Sequence, residues 1–188
     1  MGEKTDYSTY FSEEIQKFAK DAVFKDARWM AVIVKAMYKK YGRESIDVLN
    51  DAFFEFGKAE GEKYKKLAGY EGREDEIDVQ VALQDIYPQV HMHAGAAGLI
   101  LERIHFEPEE SISHCHQCPM YEGWKDVWDE PWFMCEFISY HHDRGFMAGL
   151  NPKFEWTEHA EKDGAPGLAR AKGDPCRMHL VLHKDEEK

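Results

Sequence analysis

The sequence predicts an α+β fold in which a helical N-terminal half packs on a C-terminal antiparallel sheet with helices. Three observations carry this. Residues 12–67 hold two long runs with apolar side chains at helical spacing. Residues 99–107 and 176–183 instead alternate with period two. The change falls at the small-residue stretch HAGAAG (93–98). A chain of 188 residues suits one domain, or one domain with a helical extension. The expected division is a helical region over 1–92 and an α+β region over 93–188 that carries the Cys/His motifs.

Ser12 is a good N-cap, with Glu13 and Glu14 in the first turn, where the helix dipole favours acids. Ile15, Phe18, Ala19, Ala22, Val23, Met30, Ile33, Val34 and Met37 then form an inward stripe, and Gly42 closes the helix from the C′ position. A second helix runs over 44–67, with Ile46, Leu49, Phe53 and Phe56 on one face. Gly57 and Gly61 interrupt it at about 1 kcal/mol each against Ala, and would allow close packing. A third helix covers 76–87 and stops at Pro88.

LILERIHFE (99–107) is a strand with Ile104 and Phe106 on one face and Arg103 and His105 on the other. HCHQCP (114–119) is a loop, and Pro119 opens the helix that carries MYEGWKDVW. Residues 131–150 form one apolar helix with Trp132, Cys135, Phe137, Ile138 and Phe146 inward, ended by Asn151-Pro152. Phe154 and Trp156 alternate with Glu155 and Thr157, and turns come next at 161–167 and 173–175. The last strand puts Cys176, Met178, Leu180 and Leu182 on one face.

Charge and composition exclude several classes. With 36 acidic against 24 basic residues the net charge is −12, a field that repels nucleic acid and anionic membranes. No run reaches the roughly 18 apolar residues that a membrane span needs. The polar, acidic start MGEKTDYSTYFSEE lacks an apolar signal region, so a cytoplasmic protein with reduced thiols is expected. A homo-oligomer is compatible with the sequence.

His114, Cys115, His116 and Cys118 crowd into five positions. Thiolates at C-x₂-C spacing with flanking imidazoles are ligands that a transition metal such as zinc accepts. No second pair stands at finger spacing, so thiols and surface histidines are the other reading. In the helix over 131–150, at about 100° per residue, His141 lies about 240° from Cys135, Asp143 about 80°, and His142 nearly in register. His142 is thus the imidazole placed to activate a Cys135 thiol, with Asp143 looking into the same cavity; an inert core cysteine is the alternative. Cys176 points inward, as a structural or a pocket residue.

Three pieces in order carry a resemblance: Cys118-Pro119 after a strand, Cys135 with HHD (141–143) in a helix leading into LNP (150–152), and GDPCRMHL (173–180). Together they resemble the L-2-amino-thiazoline-4-carboxylic acid hydrolase-like family over about residues 20–183. A remoter likeness is to vinyl-reductase-type small-molecule-binding domains. The first resemblance implies a bacterial cytosolic enzyme that opens a cyclic amidine or thiazoline to an N-carbamoyl amino acid. It also implies that Cys118, Cys135, Asp143, Asn151 and Cys176 line the substrate pocket. Two other functions stay open: a non-catalytic ligand or metal sensor, and a redox thiol protein using Cys115 and Cys118.

Overall fold

The computed structural model describes residues 4–158 and 175–184. Helix α1, Glu13–Tyr41, starts where expected: the Oγ of Ser12 accepts from the Ile15 amide at 3.4 Å. Gly42 ends it at φ 71°, in the left-handed region that glycine tolerates, and donates its amide to Tyr38 at 2.9 Å. The inward face differs from the expected stripe. Ala19, Val23, Ala27, Ala31 and Val34 are buried, whereas Ile15, Phe18 and Ile33 are half exposed or more. The buried row is made of small side chains, which admit α6 (Pro119–Lys125) so closely that a Cβ on Gly123 would lie 2.7 Å from that of Ala27. Bulkier residues on that row would hold the helices apart.

Helix α2, Arg43–Leu67, comes directly after it. Its Gly57 and Gly61 face Gly145 and Gly149 of α8, Tyr140–Leu150. A Cβ on Gly57 would overlap the His142 carbonyl oxygen, and one on Gly61 that of Phe146. From the other side, Gly145 and Gly149 approach the carbonyls of Phe54 and Lys58 as closely. Two G-x-x-x-G stripes thus let the backbones of α2 and α8 touch, as their spacing in α2 suggested.

Two helices depart from expectation. The third does not stop at Pro88: α3 (Val79–Val81), a π turn (Ala82–Ile86), α4 (Tyr87–Val90) and α5 (Met92–Ala96) succeed one another. The π turn has already broken the regular i→i−4 ladder, so Pro88 falls in a first turn, where its missing amide is no loss. The stretch 131–150 is likewise divided into α7 (Trp132–Met134), a π turn (Cys135–Ser139) and α8. The Tyr140 amide reaches back to the Cys135 carbonyl, and this extra residue rotates α8 by about 100°.

Strands β1 (Lys4–Asp6), β2 (Ile100–Phe106), β3 (Glu110–Gln117), β4 (Phe154–Glu158) and β5 (Cys176–Leu182) form one antiparallel sheet in the order β1-β2-β3-β5-β4. HCHQCP is therefore not a loop. His114 to Gln117 belong to β3, whose backbone is paired with β2 on one side and β5 on the other. Cys118 caps α6. In β2 the register slips between Arg103 and His105, so Ile104 is 44 % exposed and leaves the face of Phe106. Arg103 instead joins that face, 4.3 Å from the Phe106 ring centroid.

Sheet and helices meet over Phe146, Met147 and Leu150 of α8, Ile86, Trp156 and Leu180. The N-terminal strand edges the sheet and α2 packs on α8, so elements from 1–92 lie within the layers of 93–188. The turn expected at 161–167 lies outside the described residues, as do Gly173 and Asp174.

Candidate functional site

The inward positions of β3 are small: Ser111, Ser113 and Cys115 are buried. Their cross-strand partners on β5 are Leu180, Met178 and Cys176. With nothing large rising from the central strand, the helical segment above the sheet leaves a cavity of about 380 Å³. Leu101, Ser111, Ser113, Trp156 and Met178 form its floor, and Tyr87 and His91 its roof. Tyr7, Tyr10 and Phe11 close one end. That volume suits a small ligand.

His91 stands at the junction of α4 and α5 with φ −100° and ψ 15°, near the sparsely populated bridge region where many active-site residues sit. The Tyr87 ring packs on it at 4.1 Å between centroids. Its Nε2 is buried without a hydrogen-bond partner and lies 3.9 Å from Asp143 Oδ1. Burial pushes His91 down to about 4, against the pull of the Asp143 charge; His142 and His93 add to the lowering. The imidazole is therefore neutral at ordinary pH. Trp156 Nε1, also in the cavity wall, is a second buried donor without a partner.

Behind His91 stands a chain of charges. Asp143 is 5 % exposed and lies 3.3 Å from His142 Nδ1. His142 Nε2 faces Glu60 Oε2 at 3.4 Å. Burial works to lower the His142 pKa, but hydrogen bonds and charge from Asp143 and Glu60 together raise it. The arrangement is thus a neutral imidazole in the cavity wall, a buried carboxylate beside it, and a second imidazole whose two ring nitrogens each face a carboxylate.

The structure brings His142 and Asp143 together as the sequence suggested, but without Cys135. Cys135 packs among Ala31, Ile46, Trp124 and Ile138, and Cys118 lies against the same apolar cluster. The π turn has rotated His142 off the Cys135 face. Asn151 is committed to the backbone: Nδ2 donates to Glu74 O at 3.0 Å and Ile77 O at 3.3 Å, and Oδ1 accepts from the Lys153 amide at 3.0 Å. Cys176 sits opposite Cys115 at the end of β5. Strand alternation separates Cys115 from His114, and His116, at a register shift against β2, joins His114 on the outer face beside Glu102. Arg144 packs over Phe54 and Tyr140, Arg177 lies across from His114, and Arg170 is outside the described residues. Two site residues escaped the sequence reading, His91 and Glu60. The signal available for the first was HMH (91–93), just past the proline read as a helix stop.

Among the described residues no helix is long and apolar enough to cross a membrane. Comparison with curated proteins and with solved structures returned no match. A family model, that of L-2-amino-thiazoline-4-carboxylic acid hydrolase, matches residues 12–165. The matched stretch runs from the cap of α1 past β4 and includes Glu60, His91, His142 and Asp143; GDPCRMHL, one of the three pieces of the resemblance, lies beyond it. With most of its length matched, the chain belongs to the L-2-amino-thiazoline-4-carboxylic acid hydrolase family.

Proposed function

We propose that the chain is a cytoplasmic hydrolase that opens a small cyclic amidine or thiazoline in the cavity between the sheet and the roof helices, with His91 as general base. One observation supports this above all: a neutral imidazole in the cavity wall, its Nε2 unpartnered and aimed at the buried Asp143. A water held by His91 adds to the C=N carbon while the imidazole takes its proton. Asp143 then stabilises the imidazolium, and the 3.9 Å gap closes to a hydrogen bond as that charge forms. The ring nitrogen takes the water's second proton. The C–S bond breaks, the sulfur leaves as thiolate and recovers the first proton from His91, and the water oxygen becomes the new carbonyl. Ser113, on the cavity floor, offers a hydroxyl donor for the adduct. His142, itself held by Glu60, positions Asp143.

The test is ring opening of 2-amino-thiazoline-4-carboxylate and of an analogue lacking the carboxylate, with the wild-type chain and His91→Asn. A fall of about 10²–10⁴-fold in kcat with His91→Asn supports the assignment, and unchanged turnover sinks it. A second reading rests on the wall itself. Among the described residues that line the cavity there is no Lys or Arg to receive a carboxylate. A non-catalytic binding domain for an uncharged ring fits this lining; in that case the neutral analogue binds stoichiometrically and is recovered intact.

A further inference from the structure

The alternation of β3 turns Ser111 and Ser113 toward the cavity and His114 to the opposite face of the sheet; the register shift against β2 leaves His116 unopposed, and its 2.8 Å contact with Glu102 puts its ring on the side of His114. Glu102 of β2 lies directly across from His114. Its Oε2 is 2.8 Å from His116 Nε2, and one ligand atom from each of Glu102, His114 and His116 lies within 4.8 Å of the other two. The two imidazoles meet edge to face with centroids 6.4 Å apart, so both can turn a ring nitrogen to a common point.

Imidazole–carboxylate pairs recur on this face. Glu110 touches His179 at 2.8 Å and His105 at 3.5 Å. Yet among the described residues only the Glu102 group brings three ligand atoms so close. It is also the more sheltered: the Glu102 side chain is 12 % exposed against 41 % for Glu110. Beside it a cleft of about 500 Å³ has Lys20, His116, Gln117, Glu122 and Asp126 in its wall, which leaves room for water next to the trio.

We propose that Glu102, His114 and His116 form a binding site for a divalent transition ion, zinc or one of its borderline neighbours, on the outer face of the sheet. Two imidazole nitrogens and one carboxylate oxygen are the donor set such ions take, and three protein ligands leave a position open to the cleft. Cys115 is not a ligand because it points to the other face, and Cys118 because it packs on the helical core. Lys4 across from Glu102 and Arg177 across from His114 face the trio from the neighbouring strands and weaken the attraction for a cation. The net charge of −12 acts in the opposite sense at longer range.

The experiment is a calorimetric titration of the full reduced chain, prepared without an affinity tag, with Zn²⁺, paired with absorption spectra on Co²⁺. One ion per chain is expected. Glu102→Gln and His116→Ala weaken it at least about tenfold, while Cys115→Ser, Cys118→Ser and His91→Asn leave it unchanged. The cobalt spectrum shows no sulfur charge-transfer band. The proposal is overturned if the wild-type chain takes up no zinc, if binding survives both Glu102→Gln and His116→Ala, or if a cysteine variant abolishes it. None of these readouts depends on hydrolysis, so a failed activity assay leaves the result intact.

Discussion

Glu60 Oε2 and His142 Nε2 lie 3.4 Å apart across the α2–α8 contact, and the glycines flanking them set that distance. Gly57 and Gly61 bring the α2 backbone onto the carbonyls of His142 and Phe146, which leaves a Glu between them no more than one side chain away from the imidazole. The charge network behind the cavity is therefore a by-product of bare backbone contact.

Gly61→Ala tests this. The added methyl would meet backbone, not a flexible side chain. The helices must part, at a cost of about 3 kcal/mol in a urea titration. The pKa of His142, measured by NMR, falls back toward 6.5 as Glu60 is drawn away.

The pH profile of turnover tests His91. Its folded value is pushed to about 4, so the acid limb of kcat/KM falls well below the 6.5 of an ordinary imidazole. An acid limb near 6.5 would assign the base elsewhere.

Stability has its own pH signature, with opposite signs at the two imidazoles. His91 stays neutral in the folded state down to about 4 while the unfolded chain takes its proton near 6.5. Acidification through that window favours unfolding, by about 3 kcal/mol in all at ~1.4 kcal/mol per pH unit. The His142 pKa is raised, so its contribution is complete below 6.5 and is lost as the pH rises through its folded value. Urea midpoints against pH should flatten on the acid side in His91→Asn and on the alkaline side in His142→Asn.

Asn151→Ala removes the bonds to the Glu74 and Ile77 carbonyls and from the Lys153 amide, and costs about 2–3 kcal/mol by thermal or urea unfolding. Any turnover survives in the fraction that is folded.

Cys135→Ala removes a core side chain distant from the charge network. A loss of about 1–2 kcal/mol with unchanged turnover is expected. Lost activity in a folded Cys135→Ala protein would restore the thiol to the chemistry.

Local chemistry was legible in the sequence. The Ser12 cap, the Gly42 stop and the period-two pattern of 176–182 each depend on a few neighbouring atoms, and each stands in the structure. Helix phase was not. A π turn has no compositional mark, and two of them fall where phase matters most: one parts His142 from Cys135, and one carries the helix past Pro88 to His91. Glu60 was invisible for another reason. It is one acid among many on α2, and only a partner 82 residues away distinguishes it. The outward and inward faces of HCHQCP became clear only once the stretch was seen paired on both sides.

The three residues of β1 do more than edge a sheet. By pairing with β2 they hang Tyr7, Tyr10 and Phe11 over the end of the cavity, and Gln16 pins that turn by donating to Ser8 O and Phe11 O. The Tyr7 amide donates to Leu99 O at 3.1 Å and Phe11 packs against the cluster of Ala19, Val23, Ala96 and Ala97, so the wall is tied to both sheet and helices. A handful of N-terminal positions therefore sets the shape of one end of the cavity. For an engineer, Tyr7, Tyr10 and Phe11 are the positions at which to vary that end, and a fusion joined ahead of β1 bears directly on it.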